Sequence, residues 1–89
     1  IIDNILISVG TINTSLVHVR EVFKNAIKKN ANSIILVHNH PSGNSMPSNE
    51  DKVLTKRLYD AGELLGIKVL DRVIIGKDNY FSFMEENMI

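Results

Sequence analysis

The sequence predicts an α/β domain in which a mixed sheet of about four strands is flanked by two helices. Strand-like and helix-like patterns alternate along the chain and end with two strand-like patterns, which gives the order β-α-β-α-β-β. A length of 89 residues allows one domain at most. The chain is 44% apolar and 22% charged, which is typical of a soluble globular protein with one hydrophobic core.

The first half of the chain predicts a strand, a helix and a second strand. Ile5 to Val9 is a short, β-branched, apolar run and is expected to be a strand. Ile34 to Val37 is an unbroken apolar run, which is typical of a strand buried on both faces. Between them lies an amphipathic helix with apolar residues at helical spacing, and its predicted buried face consists of Val19, Val22, Phe23, Ala26 and Ile27.

The second half predicts a polar loop over residues 38–47, a helix and two strands. Ser48 fits the N-cap of the helix, and Gly66 fits the position just past its end. Lys68 to Ile75 and Tyr80 to Met84 are the predicted strands, separated by a turn. The predicted buried stripe of the helix consists of Val53, Leu54, Leu58, Ala61, Leu64 and Leu65.

Charge and cysteine content exclude several classes of function. Ten basic and ten acidic residues cancel, so direct nucleic-acid binding by this chain is not expected. The absence of cysteine excludes a disulfide scaffold, a thiol nucleophile and zinc sites built on thiolates. No apolar run approaches the roughly 18 residues of a membrane span, and no signal peptide is visible, so we expect a cytoplasmic protein.

Three residues around the polar loop predict a metal site. His38 and His40 stand at i and i+2 at the end of a strand, so an extended backbone places both imidazoles on one face. Asp51 lies one turn into the following helix, and its carboxylate can return toward the strand end. Two imidazoles and a carboxylate make a three-ligand zinc site with a fourth position open for water, which is the catalytic arrangement.

This pattern, H-x-H followed after seven residues by S-x-x-D, resembles the JAMM motif of the JAB/MPN metalloprotease family. Its flanks are similar to the RadC-like branch of that family, and the resemblance covers roughly residues 6–83. The strings that carry it are HNHPSG at residues 38–43, AGELLGI at residues 61–67, Leu70-Asp71, Gly10-Thr11-Ile12-Asn13 and Arg20-Glu21-Val22.

The resemblance implies a fold, a site and a reaction. It implies a RadC-like JAB/MPN domain over residues 1–89, with a layered, cytidine-deaminase-like architecture. His38, His40 and Asp51 would hold Zn²⁺, and Ser48 would stabilise the oxyanion or orient the bound water. The reaction would be hydrolysis of an amide or isopeptide bond in a peptide or protein substrate. The family's general base is a glutamate that would precede Ile1, so we expect the domain to be N-terminally incomplete. The strand edge left unpaired by the missing first strands invites pairing with another chain, so we expect a homodimer.

Alternative interpretations remain open. The chain departs from the branch at Arg72, where a histidine is usual, and at Val19, where a proline is usual. Without the upstream glutamate, the chain could be a non-catalytic interaction module associated with DNA repair or mobile elements, and a metal-dependent nuclease is a third hypothesis. Ser48 and Asp51 also fit a helix capping box. Asp71 could orient a ligand histidine or pair with a lysine.

Overall fold

The computed structural model describes residues 4–10, 16–40 and 42–89. Residues 11–13 and Pro41, which contribute to the family resemblance, lie outside the described residues. The elements follow the predicted order: β1 (Ile5–Gly10), α1 (Leu16–Lys28), β2 (Ser33–Asn39), α2 (Asn49–Leu65), β3 (Lys68–Ile75) and β4 (Tyr80–Ser82). The last strand is shorter than predicted, because the chain turns after Ser82 and the Ser82 hydroxyl accepts the backbone N–H of Glu85.

The four strands form one mixed sheet in the order β1-β2-β3-β4. The first three strands are parallel and β4 is antiparallel to β3. Each of the parallel strands β1, β2 and β3 is followed in space by the next strand along the chain, so both helical connections cross the sheet in the same direction. Because such connections are right-handed, both helices lie on the same face of the sheet. Both helices contribute to a single core on that face, together with β2 and β3: Val22, Phe23, Ala26, Ala31, Ile34, Leu36, Leu54, Leu58, Ile67 and Val69.

The opposite face of the sheet is not covered by any described element. Ile34 and Leu36 of β2 are buried, but Ile35 is only half-buried because it points to the opposite face. Ile7 and Val9 of β1 share that face and are 62% and 71% exposed. The prediction that β2 is buried on both faces was therefore wrong for the described residues, because both crossover helices pack on one side.

Helix α2 begins and ends at the predicted signals. Ser48 is the N-cap, and Gly66 follows the helix with φ of 72°, a left-handed conformation that suits glycine. Gly62 allows the chain to return closely to α2, because a Cβ there would clash with the Ile67 carbonyl oxygen. No helix among the described residues is long and apolar enough to cross a membrane.

The buried face of α2 differs from the predicted stripe. Leu54 and Leu58 are buried as predicted, whereas Val53, Leu64 and Leu65 are at least half exposed. The residues that face inward beside the two leucines are Asp51, Thr55 and Gly62. The inward face of α2 is therefore polar in its first turns, where the helix passes the end of β2.

A register shift between β2 and β3 determines which side chains of β3 face the helices. Ile34 pairs with Val69, but Ile35 pairs with Asp71, so Leu70 is an extra residue in β3. Beyond this bulge, Arg72 lies opposite the inward-facing Leu36. Side chains alternate along a strand, so the bulge moves Arg72 to the helix-covered face.

Candidate metal centre

The two predicted histidine ligands lie where β2 ends. His38 is buried and is the last inward-facing residue of β2, after Ile34 and Leu36. His40 follows the strand, and its backbone N–H donates to the Ile75 carbonyl at 3.1 Å, which keeps the chain aligned with β3. The imidazole centroids are 5.2 Å apart. The end of the strand thus brings both rings together, as the i and i+2 spacing predicts.

Asp51 is held by the cap of helix α2. Its Oδ2 accepts hydrogen bonds from the Ser48 backbone N–H at 2.8 Å and from the Ser48 hydroxyl at 2.9 Å. The Ser48 hydroxyl oxygen in turn accepts the Asp51 N–H at 3.1 Å, which completes a capping box. Burial alone would raise the pKa of Asp51, but the Ser48 hydrogen bonds and the nearby charge of Arg72 hold that pKa below its usual value.

The three predicted ligands converge, and their donor atoms all lie within 4.8 Å of one another. His40 Nε2 is 3.2 Å from Asp51 Oδ2, and His38 Nε2 is 3.8 Å from Asp51 Oδ1. Two ligand atoms bound to zinc at about 2.1 Å with a tetrahedral angle would lie about 3.4 Å apart. The two distances to Asp51 lie close to this value, and the nitrogen and oxygen donors are among those that zinc prefers.

The hydrogen bonds of His40 direct one ring nitrogen toward Asp51 as an acceptor. His40 Nδ1 is 2.6 Å from the Asn44 carbonyl oxygen, which can only accept, so Nδ1 carries a proton. In the neutral ring, Nε2 then presents a lone pair to the Asp51 carboxylate at 3.2 Å. Two acceptors at this distance repel each other unless a proton or a metal ion lies between them, and the same tautomer is found in metal-ligating histidines.

Arg72 is part of this cluster, a role that the sequence pattern does not indicate. Its Nη2 lies 3.2 Å from Asp51 Oδ1, 2.9 Å from His38 Nδ1 and 3.2 Å from His38 Nε2. Its Nη1 donates to the Asp51 carbonyl oxygen and to the Thr55 hydroxyl. Burial lowers the pKa of Arg72, although Asp51 opposes this shift, and a guanidinium remains protonated at neutral pH.

The sequence contains only an ambiguous signal for the position of Arg72. Strict alternation from the buried Val69 would turn Asp71, Val73 and Ile75 inward, and would turn Arg72 away from the helices. Alternation counted back from Ile74 would turn Arg72 inward. The bulge at Leu70 decides between the two, and no single-sequence pattern specifies it.

Asp71 has neither of the two roles considered from the sequence. Its carboxylate accepts hydrogen bonds from the Ser82 hydroxyl at 2.6 Å and from the backbone N–H groups of Arg72 and Met84. It therefore joins β3 to the end of β4 and to the turn that follows. Its partners among the described residues include neither a ligand histidine nor a lysine.

Comparison with known proteins places these residues in a family context. Residues 1–88 match the family described as the RadC-like JAB domain. A UPF0758 protein of Clostridioides difficile (strain 630) is 55% identical over 89 residues, which is all of this chain and 37% of that protein. A UPF0758 protein of Finegoldia magna is 62% identical over 82 residues, which is 92% of this chain and 37% of that protein.

A third relative matches a similar share of the chain. The UPF0758 protein of Caldanaerobacter subterraneus subsp. tengcongensis is 62% identical over 80 residues, which is 90% of this chain and 34% of that protein. The chain thus spans little more than a third of the length of these curated relatives. Their names specify neither a substrate nor a reaction, so any activity has to be argued from the site itself.

Proposed function

Because the chain belongs to the RadC-like JAB domain family, we propose that it forms the metal centre of a zinc-dependent hydrolase. His38, His40 and Asp51 would hold the ion. The substrate would be an amide or isopeptide bond in a peptide or protein. The observation that carries this proposal is the convergence of two imidazoles and one carboxylate, whose donor atoms lie within 4.8 Å of one another and are of the kinds that zinc prefers.

The surrounding residues support such a centre by orienting its ligands. The Asn44 carbonyl selects the His40 tautomer that leaves Nε2 free of a proton. Ser48 donates two hydrogen bonds to Asp51 and keeps the carboxylate at the strand end. When bound, zinc supplies a Lewis acid that lowers the pKa of a water molecule and polarises a carbonyl group.

Two catalytic roles stay predictions. The hydroxyl proton of Ser48 is donated to Asp51, so Ser48 would have to exchange this partner before it could stabilise an oxyanion. The general base would be the glutamate that the family resemblance predicts upstream of Ile1. That residue would transfer a proton from the attacking water to the leaving amine.

A second candidate function is a non-catalytic interaction module. One observation favours it: Arg72 pairs with Asp51, so the buried carboxylate already has a positive partner within the chain. A cluster whose negative and positive charges are paired in this way can stabilise the end of β2 without a metal ion. Binding of zinc discriminates between the two candidates.

The first experiment measures zinc content and zinc-dependent melting of the purified protein. We expect one zinc ion per chain and a rise in Tm on zinc addition, because a ligand that binds only the folded state stabilises it. His40→Ala and Asp51→Asn should lose both properties. Asp60→Asn is the matched control, because Asp60 lies on the same helix but is exposed and pairs with Lys56.

The outcome decides which function to pursue. Stoichiometric zinc that is lost only in the two ligand variants would justify a screen for peptide and isopeptide cleavage by the protein. An absence of zinc in the wild type, with no effect of zinc on Tm, would contradict the hydrolase. The search would then turn to binding partners.

A further inference from the structure

We propose that Arg72 is a resident cation of the centre formed by His38, His40 and Asp51, and that it weakens the binding of a metal ion there. This inference rests on the proposed function and concerns how tightly the same site holds its metal. The Arg72 side chain is 2% exposed, and its guanidinium contacts two of the three ligand side chains.

One side of the guanidinium is anchored by groups that do not bind the metal. Nη1 donates to the Asp51 backbone carbonyl at 2.9 Å and to the Thr55 hydroxyl at 2.8 Å. The guanidinium carbon also lies 5.8 Å from the centre of the Phe83 ring, within the range of a cation–π interaction. These contacts hold the charge in place whether or not the ligands bind a metal.

The other side of the guanidinium contacts the donor atoms themselves. Nη2 lies 3.2 Å from Asp51 Oδ1, and 2.9 and 3.2 Å from the two ring nitrogens of His38. A ring nitrogen that accepts a hydrogen bond from Arg72 cannot give the same lone pair to a metal. Whichever nitrogen of His38 faced the ion, a fixed positive charge would lie beside it.

The charges of the cluster oppose the entry of a divalent ion. With zinc bound, two charges from the ion and one from Arg72 would make three positive charges against the Asp51 carboxylate, which is the one carboxylate of this cluster among the described residues. Asp51 and Arg72 are both almost fully buried, so water screens this repulsion weakly. Removal of the Arg72 charge is therefore expected to tighten zinc binding at least about tenfold.

The test compares the zinc Kd of the wild type with that of Arg72→Gln, by competition with a chromophoric chelator in protein prepared without metal. We expect the variant to bind zinc more tightly and to show the larger zinc-induced rise in Tm. Arg72→Lys retains the positive charge and should stay closer to the wild type. The matched control is Arg57→Gln, an exposed arginine on α2, whose Kd should stay within about twofold.

The outcomes separate this inference from the proposed function. If the wild type binds zinc and Arg72→Gln binds it no more tightly, or stays unfolded in saturating zinc, the inference is overturned and the hydrolase proposal stands. If only Arg72→Gln binds zinc, the inference is supported and the hydrolase proposal fails for this chain. If neither protein binds zinc, both fail.

Discussion

The helix-covered face of the sheet has two halves that differ in chemistry. Around the middle of β2, Ile34 and Leu36 belong to the same apolar core as the buried Leu54 and Leu58 of α2. Around the end of β2, the space between this face and α2 contains buried polar and charged side chains: His38 and Arg72 from the sheet, and Asp51 and Thr55 from the helix. We call these two regions the apolar half and the polar half.

The two halves depend on different forces. The apolar half stabilises the fold by removing hydrocarbon from water, an effect that needs no particular partner. The polar half contains desolvated charges, which are tolerated only while each finds its partner. No buried side-chain nitrogen or oxygen atom among the described residues lacks a hydrogen bond. The apolar half therefore supports a polar arrangement that would not be stable alone.

The largest expected effect comes from a cavity in the apolar half. Leu58 is fully buried, so Leu58→Ala should lower the free energy of unfolding by about 3 kcal/mol, since a buried leucine loses both its transfer energy and its packing. Urea unfolding measures this change. The zinc affinity of the folded fraction should not change, and a loss in both quantities would show that the two halves are not separable.

A smaller loss is expected from breaking the pair in the polar half. Asp51→Asn leaves Arg72 buried without a carboxylate, so unfolding of the protein in chelator at pH 7 should become easier by about 2 kcal/mol. The folded pKa of Asp51 lies below its unfolded value, near 3.9, so its stabilising contribution is present above that value and is lost as pH falls through the folded pKa.

The pH dependence and a control variant make this prediction specific. Wild-type stability should fall more steeply below about pH 4 than that of Asp51→Asn, because only the wild type has this carboxylate to protonate. The exposed Asp60→Asn should change the free energy of unfolding by less than about 0.5 kcal/mol. If the free energy of unfolding falls equally with decreasing pH in the wild type and in Asp51→Asn, the ionised Asp51 carboxylate does not stabilise the folded protein.

The smallest effect is expected on the uncovered face of the sheet. Ile7 is 62% exposed, so Ile7→Thr should change the free energy of unfolding by no more than about 0.5 kcal/mol. Ile34→Thr, on the covered face of the neighbouring strand, is the matched comparison and should be strongly destabilising. A large loss for Ile7→Thr, measured by the same urea unfolding, would show that this face is covered in solution.

The sequence by itself determined the features that depend on near neighbours. The strand Lys68–Ile75, the Ser48 cap and the Gly66 terminus lie where they were predicted, because β-branched runs and capping residues act within a few positions. The proximity of the His38 and His40 imidazoles also follows from local strand geometry, because side chains at i and i+2 lie on the same face. Asp51 joins them because its cap places it one turn into a helix that begins close to the end of the strand.

Tertiary structure decided where the side chains that face the core differ from the predicted ones. The bulge at Leu70 turned Arg72 inward and made it part of the predicted metal centre. The packing of both helices on one face exposed Ile7 and made the inward face of α2 partly polar, with Thr55 in place of Val53. These outcomes depend on register and on packing between distant segments, and the periodicity of a single strand or helix contains neither.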